Sequence, residues 1–126
     1  MKSIKAAPYL LSALRMVAAF IFLMHGTQKV LGFPNGARMS LTSLFGVAGM
    51  IELAGGVLML LGLFTRPVAF VLAGEMAVAY FRAHVPRGTW PIDNGGELAV
   101  LFCFIWLYFS AAGPGPLSLD ALRKRF

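Results

Sequence analysis

Apolar residues gather into four long stretches, separated by short clusters of Gly, Pro and charge. A membrane-crossing helix needs about 20 mostly apolar residues, and residues 8–31, 43–64, 67–84 and 95–112 approach that length. The punctuation falls between them. Gly32-Phe33-Pro34-Asn35-Gly36 breaks the chain after the first stretch and Arg66-Pro67 after the second. Trp90-Pro91-Ile92-Asp93-Asn94-Gly95-Gly96 forms a longer loop, and Gly113-Pro114-Gly115-Pro116 stops the fourth stretch. Ser118 is placed to cap a short interfacial helix over residues 119–125. The pattern predicts an all-α integral membrane protein, a four-helix bundle forming one transmembrane domain over residues 1–126. Lys2 and Lys5 before the first apolar run resemble a secretory signal. The run continues from Leu10 to Met24 and meets His25-Gly26-Thr27-Gln28-Lys29 with no A-x-A-like site, so it reads as an uncleaved span.

Composition narrows the class. Of 126 residues 59% are hydrophobic and 13% charged, with a mean hydropathy of +0.78. A soluble domain carries about 25% charged residues, so a soluble enzyme, a disordered tail and a nucleic-acid-binding domain fit poorly. The net charge of +6 lies at segment ends and in loops, as membrane-flanking charge does. Four spans put both termini on one side with Lys2, Lys5, Arg66, Arg123, Lys124 and Arg125. Lys29, Arg38, Arg82 and Arg87 fall on the other, so the positive-inside rule places both termini in the cytoplasm. Trp106 is expected near the inner interface and Trp90 near the outer one. Cys103 stands alone, which excludes an internal disulfide.

The second span carries Gly46, Gly49, Gly55 and Gly56, small residues that let helix backbones approach closely in lipid. Ionisable groups inside the spans need a reason, because a charge at the bilayer centre costs about 2.5–3.5 kcal/mol on insertion scales. Arg15, Glu52 and Glu75 are such groups. The expected arrangement pairs Arg15 with a carboxylate, Glu75 or Glu52, with Arg15–Glu75 taken as the buried charge pair. A second polar set collects toward the other end: His25, Gln28, Lys29, Tyr80, His84, Asn94 and Glu97. With Glu52 as its floor, this set forms a candidate ligand pocket. Three readings compete for it: mutual pairing that holds the helices together, a small-molecule or quinone pocket, and haem or metal ligation by His25 and His84. No CxxCH, HExxH or ExxH motif supports the last, so no metal site is assigned.

These motifs also resemble those of the DoxX family of small bacterial membrane proteins. The resemblance is carried by Arg15 with Phe22-Leu23-Met24-His25-Gly26-Thr27-Gln28-Lys29 and Gly32-Phe33, and by Gly49-Met50-Ile51-Glu52-Leu53-Ala54-Gly55-Gly56. Leu61-Gly62-Leu63-Phe64-Thr65-Arg66, Ala83-His84, Trp90-Pro91 and Asn94-Gly95-Gly96-Glu97 extend it over residues 10 to 123. It implies a multi-pass protein of the bacterial inner (plasma) membrane. The family takes its name from a subunit of an archaeal thiosulfate:quinone oxidoreductase, and other members are linked to oxidoreductase complexes in oxidative-stress defence. That implies an accessory subunit that binds quinone and receives electrons through a partner oxidoreductase, with His25, Lys29, Glu52, His84 and Glu97 as pocket residues. No catalytic residue is assigned. A non-enzymatic membrane scaffold with structural buried charges is the alternative, and a small transporter a third reading. The lipid bilayer is the one partner the residues themselves require; a homo-oligomer is left open and nucleic acid is not expected.

Overall fold

The structure is a computed structural model describing residues 5–36 and 38–124. Those residues form helices joined by loops, with no strand among them. In chain order the helices are α1 (Ala7–Leu31), α2 (Leu44–Leu61), α3 (Thr65–Ala79), α4 (Pro91–Asn94), α5 (Glu97–Ala112) and α6 (Leu119–Arg123). A π-helical turn, Tyr80–His84, and a 3₁₀ turn, Val85–Arg87, continue α3. Three helices are long and apolar enough to cross a membrane: Ala7–Leu31, Leu44–Leu61 and Thr65–Arg87. The fourth apolar stretch, expected over 95–112, is a helix of only 16 residues, because the single turn of α4 closes at Gly95 with φ +73° and α5 starts anew at Glu97. The tail helix expected over 119–125 forms as α6; Arg125, like Lys2, lies outside the described residues.

Local chemistry sets the ends. Pro8 sits in the first turn of α1, where its missing N–H costs nothing. Gly32 closes α1 in the left-handed conformation, its N–H bonded to the Gln28 carbonyl. Ser43 caps α2 by accepting from the Gly46 N–H. Only three residues separate α2 from α3, and Phe64 among them takes φ +52°. The cap of α3 comes from a distant part of the chain: the Asp120 carboxylate accepts from the Phe64 and Thr65 N–H groups at 2.8 and 2.9 Å. A carboxylate there also meets the positive end of the helix dipole.

Small residues let α1 and α2 pack as an antiparallel pair. A Cβ on Gly26 would lie 2.5 Å from the Leu53 nitrogen, and one on Gly56 would lie 3.1 Å from the Leu23 Cα. Gly49 faces Lys29 in the same register. The expected close approach of the second span is therefore met along α1, and at Gly55 also against Leu72 of α3. α3 packs chiefly on α5, while α2 and α3 meet less extensively. An aromatic cluster joins α1 to α5: Phe22 stands edge-on to Phe102 at 5.2 Å and to Trp106 at 5.5 Å. Trp106 is fully buried in this core. The outward faces are apolar as well. Val17, Phe20, Phe70, Phe81, Leu101 and Phe104 all point away from the core, a surface suited to lipid and not to water.

Candidate functional site

At one end of the molecule α1 and α3 finish while α2 and α5 begin, and there a cavity of about 760 Å³ opens between the helices. Its lining comes from both α2 and α3, which pack on each other less extensively than α1 on α2 or α3 on α5. Its wall is mostly apolar: Phe22 of α1, Phe45 and Ile51 of α2, Val71 and Val78 of α3, and Phe102 of α5. A few polar side chains interrupt it. His25 and Lys29 enter from α1, Glu52 from α2 and Glu75 from α3, while Arg82, His84 and Arg87 line the stretch beyond α3.

Helix geometry explains the closest polar contact. Side chains tilt toward the N-terminus of their own helix, and α1 and α2 run in opposite directions. Lys29, near the end of α1, leans back into the molecule; Glu52, midway along α2, leans out to meet it. Lys29 Nζ donates to both Glu52 oxygens, at 2.9 and 2.7 Å, and the Glu52 side chain is only 2% exposed. Glu52, expected at the pocket floor, is the buried half of an ion pair. Glu75 differs: both its oxygens are shut off from the surroundings and neither has a hydrogen bond among the described residues.

The expected Arg15–Glu75 pair does not form. The same N-terminal tilt carries Arg15 away from the cavity, toward the end where α1 begins. There Nε donates to the Met59 carbonyl at 2.8 Å, one Nη to Leu117 at 2.7 Å, and the other to Pro114. Backbone carbonyls thus replace the anticipated carboxylate. Ser12 donates to the same Pro114 carbonyl and accepts from the Leu117 N–H, fastening the tail segment to α1.

The remaining candidates divide. His25 is half-buried and stands edge-on to Phe102 at 6.4 Å. His84 donates from Nδ1 to the Asn94 carbonyl, 3.2 Å away. Tyr80 and Asn94 do not line the cavity; they brace the loop beside it, with Asn94 Nδ2 donating to the Tyr80 hydroxyl and the Gly88 carbonyl. Gln28 turns to the loop after α1 and bonds Asn35. Glu97 is exposed and stands apart from the cavity wall. Glu75, Arg82 and Arg87 were missed as lining residues. Glu75 and Arg82 carry a sequence signal, since with Val71 and Val78 they stand at helical i, i+4, i+7, i+11 spacing.

The π-helical turn matters for this wall. The Val85 N–H reaches back five residues to the Tyr80 carbonyl, and Pro86, which has no N–H for the next turn, follows it. The widened turn brings Arg82, Ala83 and His84 onto the cavity together. Such turns occur frequently at functional sites. Among the described residues no three or more His, Cys, Asp or Glu side chains gather as a metal site.

Comparison with known proteins gives a consistent result. The DoxX family profile matches residues 10–85. An uncharacterized protein of Haemophilus influenzae is 49% identical over 125 residues, covering 92% of each chain. The Escherichia coli inner membrane protein YphA is 28% identical over 130 residues, covering 91% of each chain. No solved structure matches.

Proposed function

The chain belongs to the DoxX family, and from that premise we propose that it is a four-span protein of the bacterial inner membrane that binds a quinone or a similar lipophilic ligand. Its termini face the cytoplasm, which turns the cavity toward the outer half of the bilayer. α5, although short, forms the fourth span with Trp106 and Phe109 packed inward. The observation that carries the reading is the cavity itself. About 760 Å³ of mainly apolar space with a few convergent polar groups is the size and character of a small-molecule site. Its aromatic wall suits a flat ring, and the sparse contact between α2 and α3 offers a way in from lipid. A bound quinone supplies electron and proton chemistry; the chain's residues bind and orient it. Phe22 and Phe102 face the ring, His25 offers a hydrogen bond, and Arg82 and Arg87 bring positive charge to the exposed rim. Electrons come from a partner oxidoreductase.

Trp106 stacks on Phe102 at 5.9 Å and so reports on the cavity wall, whereas Trp90 is 66% exposed and outside it. A Trp90→Phe variant in detergent, titrated with a short-tailed ubiquinone, is expected to show saturable quenching of Trp106. His25→Ala in that background is expected to weaken binding about tenfold, the loss of one good hydrogen bond. Quenching that rises linearly without saturation removes the quinone reading. A scaffold role is the second reading, favoured by the complete pairing of Arg15 and of Glu52.

A further inference from the structure

Glu75 is a polar group on the cavity wall whose buried oxygens no described residue satisfies. Both carboxyl oxygens are buried without a hydrogen bond, yet the side chain lines the cavity. A carboxyl in such a place is either a cost without return or one side of a contact completed by something else. The charges around it decide its form. The same cavity is lined from α1 by His25 and Lys29, from α2 by Glu52, and from the turns after α3 by Arg82, His84 and Arg87. Lys29 is committed to both Glu52 oxygens. Arg82 and Arg87 lie seven and twelve residues further along, about 10 and 18 Å by helical rise, and both are exposed at the rim. Arg15 is engaged with backbone carbonyls elsewhere. No counterion among the described residues is therefore left for an ionised Glu75, and an unpaired buried charge is far more costly than a neutral acid.

We infer that Glu75 stands as a neutral carboxylic acid and that, when a ligand enters, its side chain turns toward the cavity it lines, so that its O–H donates to an acceptor oxygen on the buried end of the ligand, such as a quinone carbonyl. The assignment rests on the ligand reading above and adds a specificity to it. An O–H donor selects a carbonyl-bearing lipophile, whereas an ionised carboxylate in the same place selects an ammonium. The burial of both oxygens and the apolar lining of the cavity, with Val71, Met76 and Phe102, disfavour water as a competitor for the proton.

Infrared difference spectroscopy of the full chain in lipid tests the acid without any ligand. At neutral pH the wild type is expected to show the carbonyl stretch of a protonated carboxylic acid, absent from Glu75→Gln. No such band overturns the inference, whatever binds in the cavity. Adding a short-tailed ubiquinone is then expected to shift the band, as a new hydrogen bond does, which a purely structural carboxyl would not show. In binding titrations Glu75→Gln, which keeps an N–H donor, should remain within about threefold of wild type, while Glu75→Leu should lose about tenfold. Full binding by Glu75→Leu overturns the donor role. A band present in a wild type that binds no quinone supports the acid and overturns the quinone reading alone.

Discussion

Where α1 begins and α6 ends, Arg15 gives its hydrogen bonds to the carbonyls of Met59, Pro114 and Leu117, and Asp120 accepts from two helix N–H groups. At the opposite end the Glu75 carboxyl of α3 has no hydrogen-bond partner among the described residues, a π-helical turn widens the helix, and about 760 Å³ stands open. The first region is built as a closed structural clamp in which charge is used to tie a tail to the helices. The second leaves polar groups and space unspent, and such unsatisfied groups are where a binding partner is expected. Lys29–Glu52 lies between the two in character, a complete ion pair that nevertheless borders the cavity.

Substitutions at the two ends should therefore differ in sign as well as size. The largest effect is expected for Arg15→Met, which strands carbonyls inside the clamp; the loss is about 3–5 kcal/mol, read as a large drop in melting temperature in detergent. Lys29→Met leaves Glu52 buried without its cation and is expected to cost about 3 kcal/mol. Adding Glu52→Gln to it should recover much of that loss, and a double-mutant cycle measures the coupling. Glu75→Leu should move the other way. Removing an unpaired buried polar group raises ligand-free stability by about 1–2 kcal/mol, and a loss there instead would erase the distinction between the two ends.

The smallest effect belongs to Asp120→Asn, about 1 kcal/mol for a weakened helix cap. Partial burial pushes the Asp120 carboxyl up, but the hydrogen bonds from Thr65 and Phe64 and the nearby Arg123 outweigh it and hold the group below its ordinary value. A depressed folded value means that the contribution is complete above the unfolded value, about pH 4, and fades as pH falls through the folded one. Melting curves of wild type and Asp120→Asn should converge under those acid conditions.

The helical class and the positions of three spans were legible because hydropathy and Gly/Pro punctuation act locally. The pocket was legible in part. His25, Lys29, Glu52 and His84 do meet at one cavity, since their depths along successive helices could be counted. The partner of Arg15 was not legible: a loop carbonyl such as Pro114 has no sequence signature, and counting depth ignores the N-terminal tilt that turns the guanidinium away from Glu75. Gln28 and Asn94 were grouped with the pocket by helical face and loop proximity, yet both are consumed by local loop contacts. Residues with short-range partners available are the ones that face arguments misplace.

Photolabelling locates the ligand directly. A photoreactive quinone analogue, irradiated with the protein in lipid and mapped by mass spectrometry, is expected to mark residues within 44–52 and 71–84. Excess unlabelled short-tailed ubiquinone should suppress that label. Label that resists competition, or that falls mainly on the Arg15–Asp120 end, would contradict the account.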